Sequence, residues 1–317
     1  MYQNPSKFTL QGTNTYLIGE HNPYILVDTG HGLETYPPFL QEALLDHTST
    51  IHADKPYISD IILSHKHADH CYGLPSVLKL LRQLWADHRG TSPYQPPRIH
   101  KIPLHTPDPR MQYVFESLAS LPPELFMADP SGNPIHDLHD LQTLPVTTSS
   151  ADAESASLLV LHTPGHTEDS LCLYYPGDRA IFTADTVLGH GSSVFEDLRT
   201  YMASLRRIID FGTEGSKYGP VYPGHGPVVD DGLRHINNYL RNRITRENQI
   251  LGALQKSPPP DGVWTTWTLV SSIYADYPRD LWEAAARSVD MHLRKLEAEG
   301  RVESPGGEGR DTEWILT

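Results

Sequence analysis

A short stretch rich in histidine constrains this chain more than any other part of its sequence. Residues 64–70 read SHKHADH and follow the apolar run 61–63, which predicts a buried strand ending in a loop. Open α/β folds place their chemistry just outside the carboxyl ends of such strands. Alternate residues of an extended chain point to the same side, so His65 and His67 can bind one ion. Asp69 and the histidine after it then turn toward a second ion, and the stretch predicts a metal site.

Three later segments supply further ligands in chain order. The apolar strand 158–161 leads to His166 in a Pro-Gly turn, and this histidine would complete a three-histidine group. The segment 171–183 reads as a β-hairpin and delivers Asp185 at its far end, where a carboxylate can bridge two ions about 3.5–4 Å apart. His225 follows another short strand between two glycines. It would complete the ligands of the second ion.

The complete set of candidate ligands resembles, residue by residue, the binuclear site of the metallo-β-lactamase superfamily. The set is His65, His67, Asp69, His70, His166, Asp185 and His225. The resemblance implies an α/β fold, the αβ/βα sandwich, with two divalent metal ions. Zinc suits the imidazole ligands, and manganese or iron also fits this nitrogen and oxygen set. The resemblance further implies that Asp28 supports the site without binding metal. The related flavodiiron proteins have a glutamate in the place of His67, so this histidine favours hydrolysis.

Several segments narrow the resemblance to one lactamase-like subfamily. It includes a eukaryotic mitochondrial endoribonuclease and the fungal thioesterases that partner non-reducing polyketide synthases. The segments are 4–17, 185–189, 194–198 and the carboxyl-terminal region. The long segment between His70 and His166, and the phrases 74–78 and 187–191, are more similar to the thioesterase branch. This implies a thioesterase of secondary metabolism that releases a polyketide acid from an acyl carrier protein.

Two other hydrolases share parts of this pattern. A single-strand endoribonuclease would use the same ligands, because two ions that lower the pKa of a shared water to near 7 serve phosphorus and acyl carbon alike. A hydroxyacylglutathione-type hydrolase shares the thioester chemistry, but its carboxyl-terminal region differs from the one found here. In either reaction Asp69 would be the catalytic carboxylate, holding an ion and orienting the attacking water.

Four residues after the bridging aspartate are candidates for the substrate cleft. They are Phe195, Glu196, Asp197 and Tyr201. A carboxylate pair at the mouth of the cleft would repel a phosphodiester, at a cost of about 1 kcal/mol per close contact in water. A neutral acyl chain meets no such repulsion. This argument favours the thioesterase over the ribonuclease.

The chain divides into a catalytic domain over 1–256 and a small module over 261–317, separated by a proline-rich break. Within the first domain, 86–150 reads as a patternless insertion, either a substrate-covering flap or a loosely packed surface loop. The module contains two helical runs and two short strands around a glycine-rich turn, which predicts a winged-helix-like fold. From Asp261 onward it has 11 acidic residues against 6 Lys and Arg. Phosphate-binding surfaces need the opposite balance, so we expect a scaffold or cap that does not bind duplex DNA.

A basic helix is predicted just after His225. Its arginines are Arg234, Arg241, Arg243 and Arg246. They form either a solvated helix face or a dock for phosphate, from the phosphopantetheine arm of a carrier protein or from RNA. The net charge of −14 does not separate these alternatives, because acidic carrier proteins and RNA would meet the same field.

Composition predicts a cytoplasmic enzyme without membrane association. No apolar stretch approaches the ~18 residues that cross a bilayer, and the polar amino terminus lacks the pattern of a signal peptide. The only cysteines, Cys71 and Cys172, are read as packed, inert thiols that suit a reducing compartment.

Overall fold

Two five-stranded sheets form the centre of the molecule, and a three-stranded sheet lies near the carboxyl terminus. The computed structural model describes residues 9–46, 52, 54–89, 93–149, 152, 156–215, 217–258 and 262–317. Residues 4–8 of the amino-terminal motif and 259–261 of the proline-rich break lie outside these ranges. The first sheet contains β1 (Tyr16–Ile18), β2 (Tyr24–Val27), β3 (Ile58–Ile62), β4 (Arg98–Lys101) and β5 (His136–Asp137). The second contains β6 (Thr143–Pro145), β7 (Ser157–His162), β8 (Leu171–Tyr175), β9 (Ala180–Ala184) and β10 (Val221–Pro223). The third contains β11 (Trp264–Thr265), β12 (Val302–Glu303) and β13 (Glu313–Leu316).

Strand direction brings the candidate ligands to one edge of the molecule. Strands β2 to β5 run parallel, so the segments that follow β2 and β3 leave the first sheet at the same edge. Asp28 follows β2 and His65 follows β3. In the second sheet β9 and β10 are parallel neighbours, and Asp185 and His225 follow them. The hairpin predicted over 171–183 is confirmed as the antiparallel pair β8 and β9.

Helices cover the outer face of each sheet and complete a four-layer αβ/βα sandwich. They are α1 (Tyr36–Leu45), α2 (Ala68–Cys71), α3 (Leu74–Arg89), α4 (Pro109–Ala119), α5 (Leu198–Thr213) and α6 (Gly232–Leu254), and the carboxyl-terminal module adds α7 (Thr266–Ile273) and α8 (Trp282–Ala298). Successive side chains of a strand point to opposite faces of its sheet, and this alternation separates the layers. On β3, Ile61 packs outward against α1 and α3, whereas Ile62 packs between the sheets. On β8, Leu173 packs between the sheets and Cys172 packs under α5 and α6. The predicted fold class is confirmed.

The segment 86–150 is not the patternless loop that its prolines indicated. It contains β4 and β5 of the first sheet, β6 of the second, and helix α4. Pro109 stands at the beginning of α4 after the N-cap Asp108, where a missing backbone N–H costs nothing. The prolines therefore mark the ends of short elements, which a reading of local composition treats as breaks.

The carboxyl-terminal module has the predicted winged-helix architecture. Helices α7 and α8 lie beside the three-stranded sheet in the order β11-β13-β12. Val289, Leu293 and Trp314 form the centre of its core, which also receives Ile250 from the end of α6. In the described part of the chain, no helix combines the length and apolar character needed to span a bilayer.

A buried histidine in this module makes its stability depend on pH. His292 is fully buried, and neither ring nitrogen has a hydrogen-bond partner among the described residues. Burial, together with the cations of Arg243, Arg246 and Lys295, lowers its pKa to about 3. The unfolded chain binds this proton near pH 6.5, so the free energy of unfolding falls as the pH drops from about 6.5 toward 3, by up to ~1.4 kcal/mol per pH unit.

We expect His292→Leu to remove this dependence. Denaturant unfolding of metal-stripped wild type and variant at pH 7 and pH 5 measures the slope, and stripping removes the contribution of bound metal. Equal slopes for the two proteins would contradict the assignment to His292.

Candidate metal centre

The loop after β3 and the one-turn helix α2 position four of the seven candidate ligands. His65 and His67 lie on the loop, and His67 keeps an extended backbone (φ −69°, ψ 143°) as the N-cap of α2. The helix then directs Asp69 and His70 to the same side as the loop histidines. The chain reverses within a few residues, and therefore a single short segment serves two metal positions.

Three imidazoles converge on one point. The nitrogens His65 Nε2 and His166 Nε2 each lie 3.0 Å from His67 Nδ1. Asp185 Oδ2 lies 3.9 Å from the first and 3.7 Å from the second. Ligand atoms about 2.0–2.1 Å from one tetrahedral ion would stand roughly 3.3 Å apart. The four atoms therefore have the spacing of a metal-binding group.

A second group shares Asp185 with the first. Asp69 Oδ2 lies 3.3 Å from His70 Nε2 and 3.3 Å from His225 Nε2. Asp185 places Oδ1 3.4 Å from the His70 nitrogen and Oδ2 3.2 Å from the His225 nitrogen. One carboxylate thus faces both groups, which is the arrangement that a bridging ligand requires.

The outer nitrogens of three of the candidate ligand histidines are held by acceptors. His70 Nδ1 donates to Asp28 Oδ2 at 2.7 Å, and His166 Nδ1 donates to the Val194 carbonyl at 2.7 Å. Ser64 Oγ also donates to Asp28, so it accepts from His65 Nδ1 at 2.9 Å. With the proton on the outer nitrogen, each inner nitrogen presents a lone pair to the site. Asp28 lies where a supporting, non-ligating aspartate should be.

Two buried polar atoms at the centre lack any hydrogen-bond partner among the described residues. They are His70 Nε2 and Asp185 Oδ1. Orphaned polar atoms in the interior cost free energy unless something else satisfies them. Because both atoms face the shared space between the two groups, the residues present fit a binuclear metal site.

Burial and charge set opposite protonation tendencies in the two groups. Burial lowers the pKa of His65 and His166, and it lowers that of His67 to about 4, so the three-histidine group is neutral and ready to bind metal. In the second group burial opposes charging, yet Asp69 and Asp185 raise the pKa of His70 above its usual value. Asp185 likewise raises the pKa of His225 to about 9.

The two carboxyl groups respond in the opposite sense to the same contacts. Burial would raise the pKa of Asp69 and Asp185, but His70 and His225 hold both well below the usual range. Both carboxylates are therefore charged at neutral pH. The second group therefore pairs charged carboxylates with imidazoles that carry protons in the metal-free protein, and binding of a cation would release those protons.

Residues 8–225 match the model of the metallo-β-lactamase superfamily, and residues 265–314 match the β-lactamase-associated winged helix domain. The chain belongs to the metallo-β-lactamase superfamily. It is a hydrolase, and its histidine and aspartate cluster fits the binuclear metal site of that superfamily.

Relatives of this superfamily member cover nearly the whole chain. A Beta-lactamase-like protein 2 homolog of Drosophila melanogaster is 34% identical over 94% of this chain and 87% of its own. The atrochrysone carboxyl ACP thioesterase nsrC of Aspergillus novofumigatus is 30% identical over 95% of this chain and 78% of its own. A β-lactamase domain protein from Burkholderia ambifaria has the same fold, with a TM-score of 0.64, 16% identity, and coverage of 99% of this chain and 89% of that one.

A cavity of about 320 Å³ opens onto the metal-binding groups of the superfamily fold. One side is formed by residues 188–194, and the other by Thr9 and Leu10. We call residues 188–195 the wall loop. Parts of this loop, within 187–191 and 194–198, carry the family resemblance, but only Phe195 was predicted to lie at the site, because no ligand-type spacing marks the other residues.

Two supporting hydroxyl groups were also missed. Thr13 Oγ1 donates to Asp69 Oδ2 at 2.8 Å, and Ser193 Oγ donates to the Asp185 carbonyl at 2.5 Å. Thr13 is far in sequence from Asp69, and neither hydroxyl group carries a charge that would mark it as part of a site. Thr13 lies in segment 4–17, which carries the family resemblance, and that resemblance was the one sequence signal that could have pointed to it.

The four residues predicted for the substrate cleft do not line this cavity. Glu196 is 3.0 Å from Lys66 Nζ, and Asp197 caps α5 by accepting from the Thr200 N–H. Tyr201 is fully buried, and Phe195 stacks on its ring at 5.1 Å. The carboxylates are occupied by an ion pair and a helix cap, so the expected repulsion of phosphate by a free carboxylate pair has no support in this geometry.

The predicted basic helix is α6, and its arginines differ in role. Arg234 and Arg241 are exposed. The Arg243 guanidinium lies 4.9 Å from the Phe195 ring centre, and that of Arg246 lies 4.2 Å from the Tyr274 ring centre. The last two are half-buried against aromatic rings, so the four arginines do not form a uniform solvated face.

Proposed function

We propose that this chain is a thioesterase that releases a polyketide acid from the acyl carrier protein of a non-reducing polyketide synthase. The relative nsrC is named as an ACP thioesterase and aligns over nearly the whole chain. The proposal includes the site residues: His65, His67 and His166 hold one ion, Asp69, His70 and His225 hold the other, and Asp185 bridges them. Zinc is the proposed metal, since five imidazoles dominate the ligand set.

The chemistry of the cavity wall carries this proposal. Its lining is Thr9, Leu10, His67, Asp69, His166, Asp185, Leu188, His190, Gly191, Ser192, Ser193, Val194 and His225. Among these described residues there is no Lys, Arg, Phe, Tyr or Trp. Single-stranded nucleic acid is bound by basic grooves with aromatic stacking platforms. A small wall without Lys, Arg or an aromatic ring among its described residues supports a neutral acyl thioester as substrate in preference to RNA.

The chain's own groups would orient and hold the reactants. When bound, two ions would lower the pKa of a shared water and polarise the scissile carbonyl. Asp69, kept charged and fixed by Thr13, would orient the attacking water. A thiolate leaves without much acid assistance, so no further proton donor is required for this reaction.

We also propose that the part of 86–150 outside the sheets covers bound substrate. A second cavity, of about 710 Å³, lies between the end of β4 and helix α4 and is lined by Ile102, Leu104, Met111 and Phe115. Asp108 at its edge lies 3.3 Å from the Nζ atom of Lys66, and Lys66 stands between two candidate ligands in the sequence. This cavity would receive the acyl chain.

Because Cys71 and Cys172 are both buried and unpaired, we assign the enzyme to the reducing cytosol.

A comparison of the rates on two substrates tests the proposed function. Metal-loaded enzyme is given an aromatic acyl thioester on a carrier protein and, separately, labelled single-stranded RNA, with Asp69→Asn as the control for both. We expect thioester hydrolysis that depends on Asp69 and proceeds well above RNA cleavage. Asp69-dependent RNA cleavage, with no turnover of several acyl thioesters, would transfer the assignment to an endoribonuclease.

A further inference from the structure

Three side chains of α6 support the wall loop from behind. His235, Tyr239 and Arg243 are spaced four residues apart, which places them on one face of the helix. His235 Nε2 donates to the Leu188 carbonyl at 2.8 Å, and Tyr239 OH donates to the Gly191 carbonyl at 3.0 Å. The face therefore contacts the first half of the wall loop at two backbone carbonyls.

Arg243 contacts the half of the wall loop that lies next to the ligands. Its Nη2 donates to Ser192 Oγ at 2.5 Å and to the Ser193 carbonyl at 3.0 Å. The guanidinium also stands over the stacked rings of Phe195 and Tyr201, at 4.9 and 5.9 Å from their centres. A planar, delocalised cation can donate along its edge while stacking on a ring face, and a lysine ammonium cannot do both.

The residues that Arg243 holds are joined directly to the metal-binding groups. Ser193 Oγ donates to the backbone carbonyl of the bridging Asp185. The next carbonyl along the loop, Val194, accepts from His166 Nδ1 and so fixes the orientation of that imidazole. A displacement of the wall loop at Ser193 would consequently misalign one ligand of the first ion and the ligand shared by both.

We propose that Arg243 is a positioning residue, which holds the wall loop and thereby the metal-binding orientation of His166 and Asp185. The next residue on the same face, Glu247, is buried and accepts from Lys295 at 2.5 Å and from Arg301 at 2.8 Å. These partners belong to the carboxyl-terminal module. The module thus anchors the helix that supports the metal pocket, which gives it a role that requires no nucleic acid.

Metal retention is the decisive measurement. Arg243→Met keeps an unbranched apolar stem and loses the donors, and Arg241→Met removes the same charge from an exposed position on α6. We expect Arg243→Met to lose metal to a chromogenic chelator at roughly 10–100-fold lower chelator concentration, the usual effect of removing a group that orients a ligand. The control should match wild type. kcat should fall in parallel, with KM changed less.

Two further variants keep the test decisive if Arg243→Met does not fold. Arg243→Lys retains the charge and is expected to recover thermal stability without recovering metal retention. Ser193→Ala removes only the hydroxyl that joins the loop to Asp185, and it should weaken retention in the same direction. Wild-type retention in folded Arg243→Lys and Ser193→Ala, or in folded Arg243→Met, would overturn the proposal.

The proposal rests on the proposed thioesterase only for its kinetic readout. If the wild-type enzyme hydrolyses no thioester but Arg243→Met still loses metal more readily than Arg241→Met, the proposed function fails and the positioning role stands. Turnover by the wild type, with equal retention in the two arginine variants, would give the reverse result.

Discussion

Asp69→Asn is expected to reduce turnover by at least about a hundredfold, the scale on which single preorganised electrostatic groups contribute to catalysis. The carboxylate lies 3.3 Å from both His70 Nε2 and His225 Nε2, so the amide removes a negative ligand from the second group. An asparagine oxygen can still accept from Thr13, and the side-chain volume is almost unchanged. Steady-state rates and a thermal melt on the same preparation measure the two effects separately.

The adjacent cysteine provides a matched control for this substitution. Cys71 is fully buried, and its Sγ donates to the His65 carbonyl at 2.9 Å, a bond that a serine hydroxyl can also make. We expect Cys71→Ser to keep most of the activity. A serine variant as inactive as Asp69→Asn, at unchanged melting temperature, would show that the catalytic carboxylate is misassigned.

Purified protein is expected to contain close to two transition-metal ions per chain, and Asp185→Ala is expected to lose most of this metal. Among the described carboxylates, Asp185 is the one that forms pairs within 4 Å with candidate ligand nitrogens of both groups. Removing it leaves each group one ligand short and removes the negative charge that offsets two cations. Elemental analysis of protein never exposed to chelator gives the count.

Metal loss should also reduce stability, because a ligand that binds only the folded state at about a thousand times its Kd adds roughly 4 kcal/mol. We therefore expect chelation to lower the melting temperature of wild type and to leave Asp185→Ala unchanged. Asp178→Ala removes an exposed carboxylate from the hairpin turn before β9 and should behave as wild type. One ion or none in the untreated wild type would contradict the binuclear site.

Much of the fold could be predicted from the sequence because the patterns that decide it are local. The strand before His65 and the hairpin at 171–183 each follow from a hydrophobic period confined to a few residues. The order of the ligands, one after each of several strands, follows from parallel strands that end at the same sheet edge. Only the resemblance to a known family assigned a role to Asp28, whose contacts with Ser64 and His70 span more than thirty residues.

The sequence by itself determined the winged-helix module through its local periodicity and the candidate metal ligands through their side-chain type and spacing, and the layered α/β fold followed from the resemblance to a known family. The tertiary structure decided what surrounds the metal-binding groups. Glu196 and Asp197 are engaged with Lys66 and with a helix end, and Arg243 reaches a wall loop about fifty residues earlier in the chain. The ion pair of Glu196 and the contacts of Arg243 join residues far apart in the chain at no fixed spacing. The Arg243 contacts exist only after α6 has packed across the second sheet, and no pattern in the sequence records them.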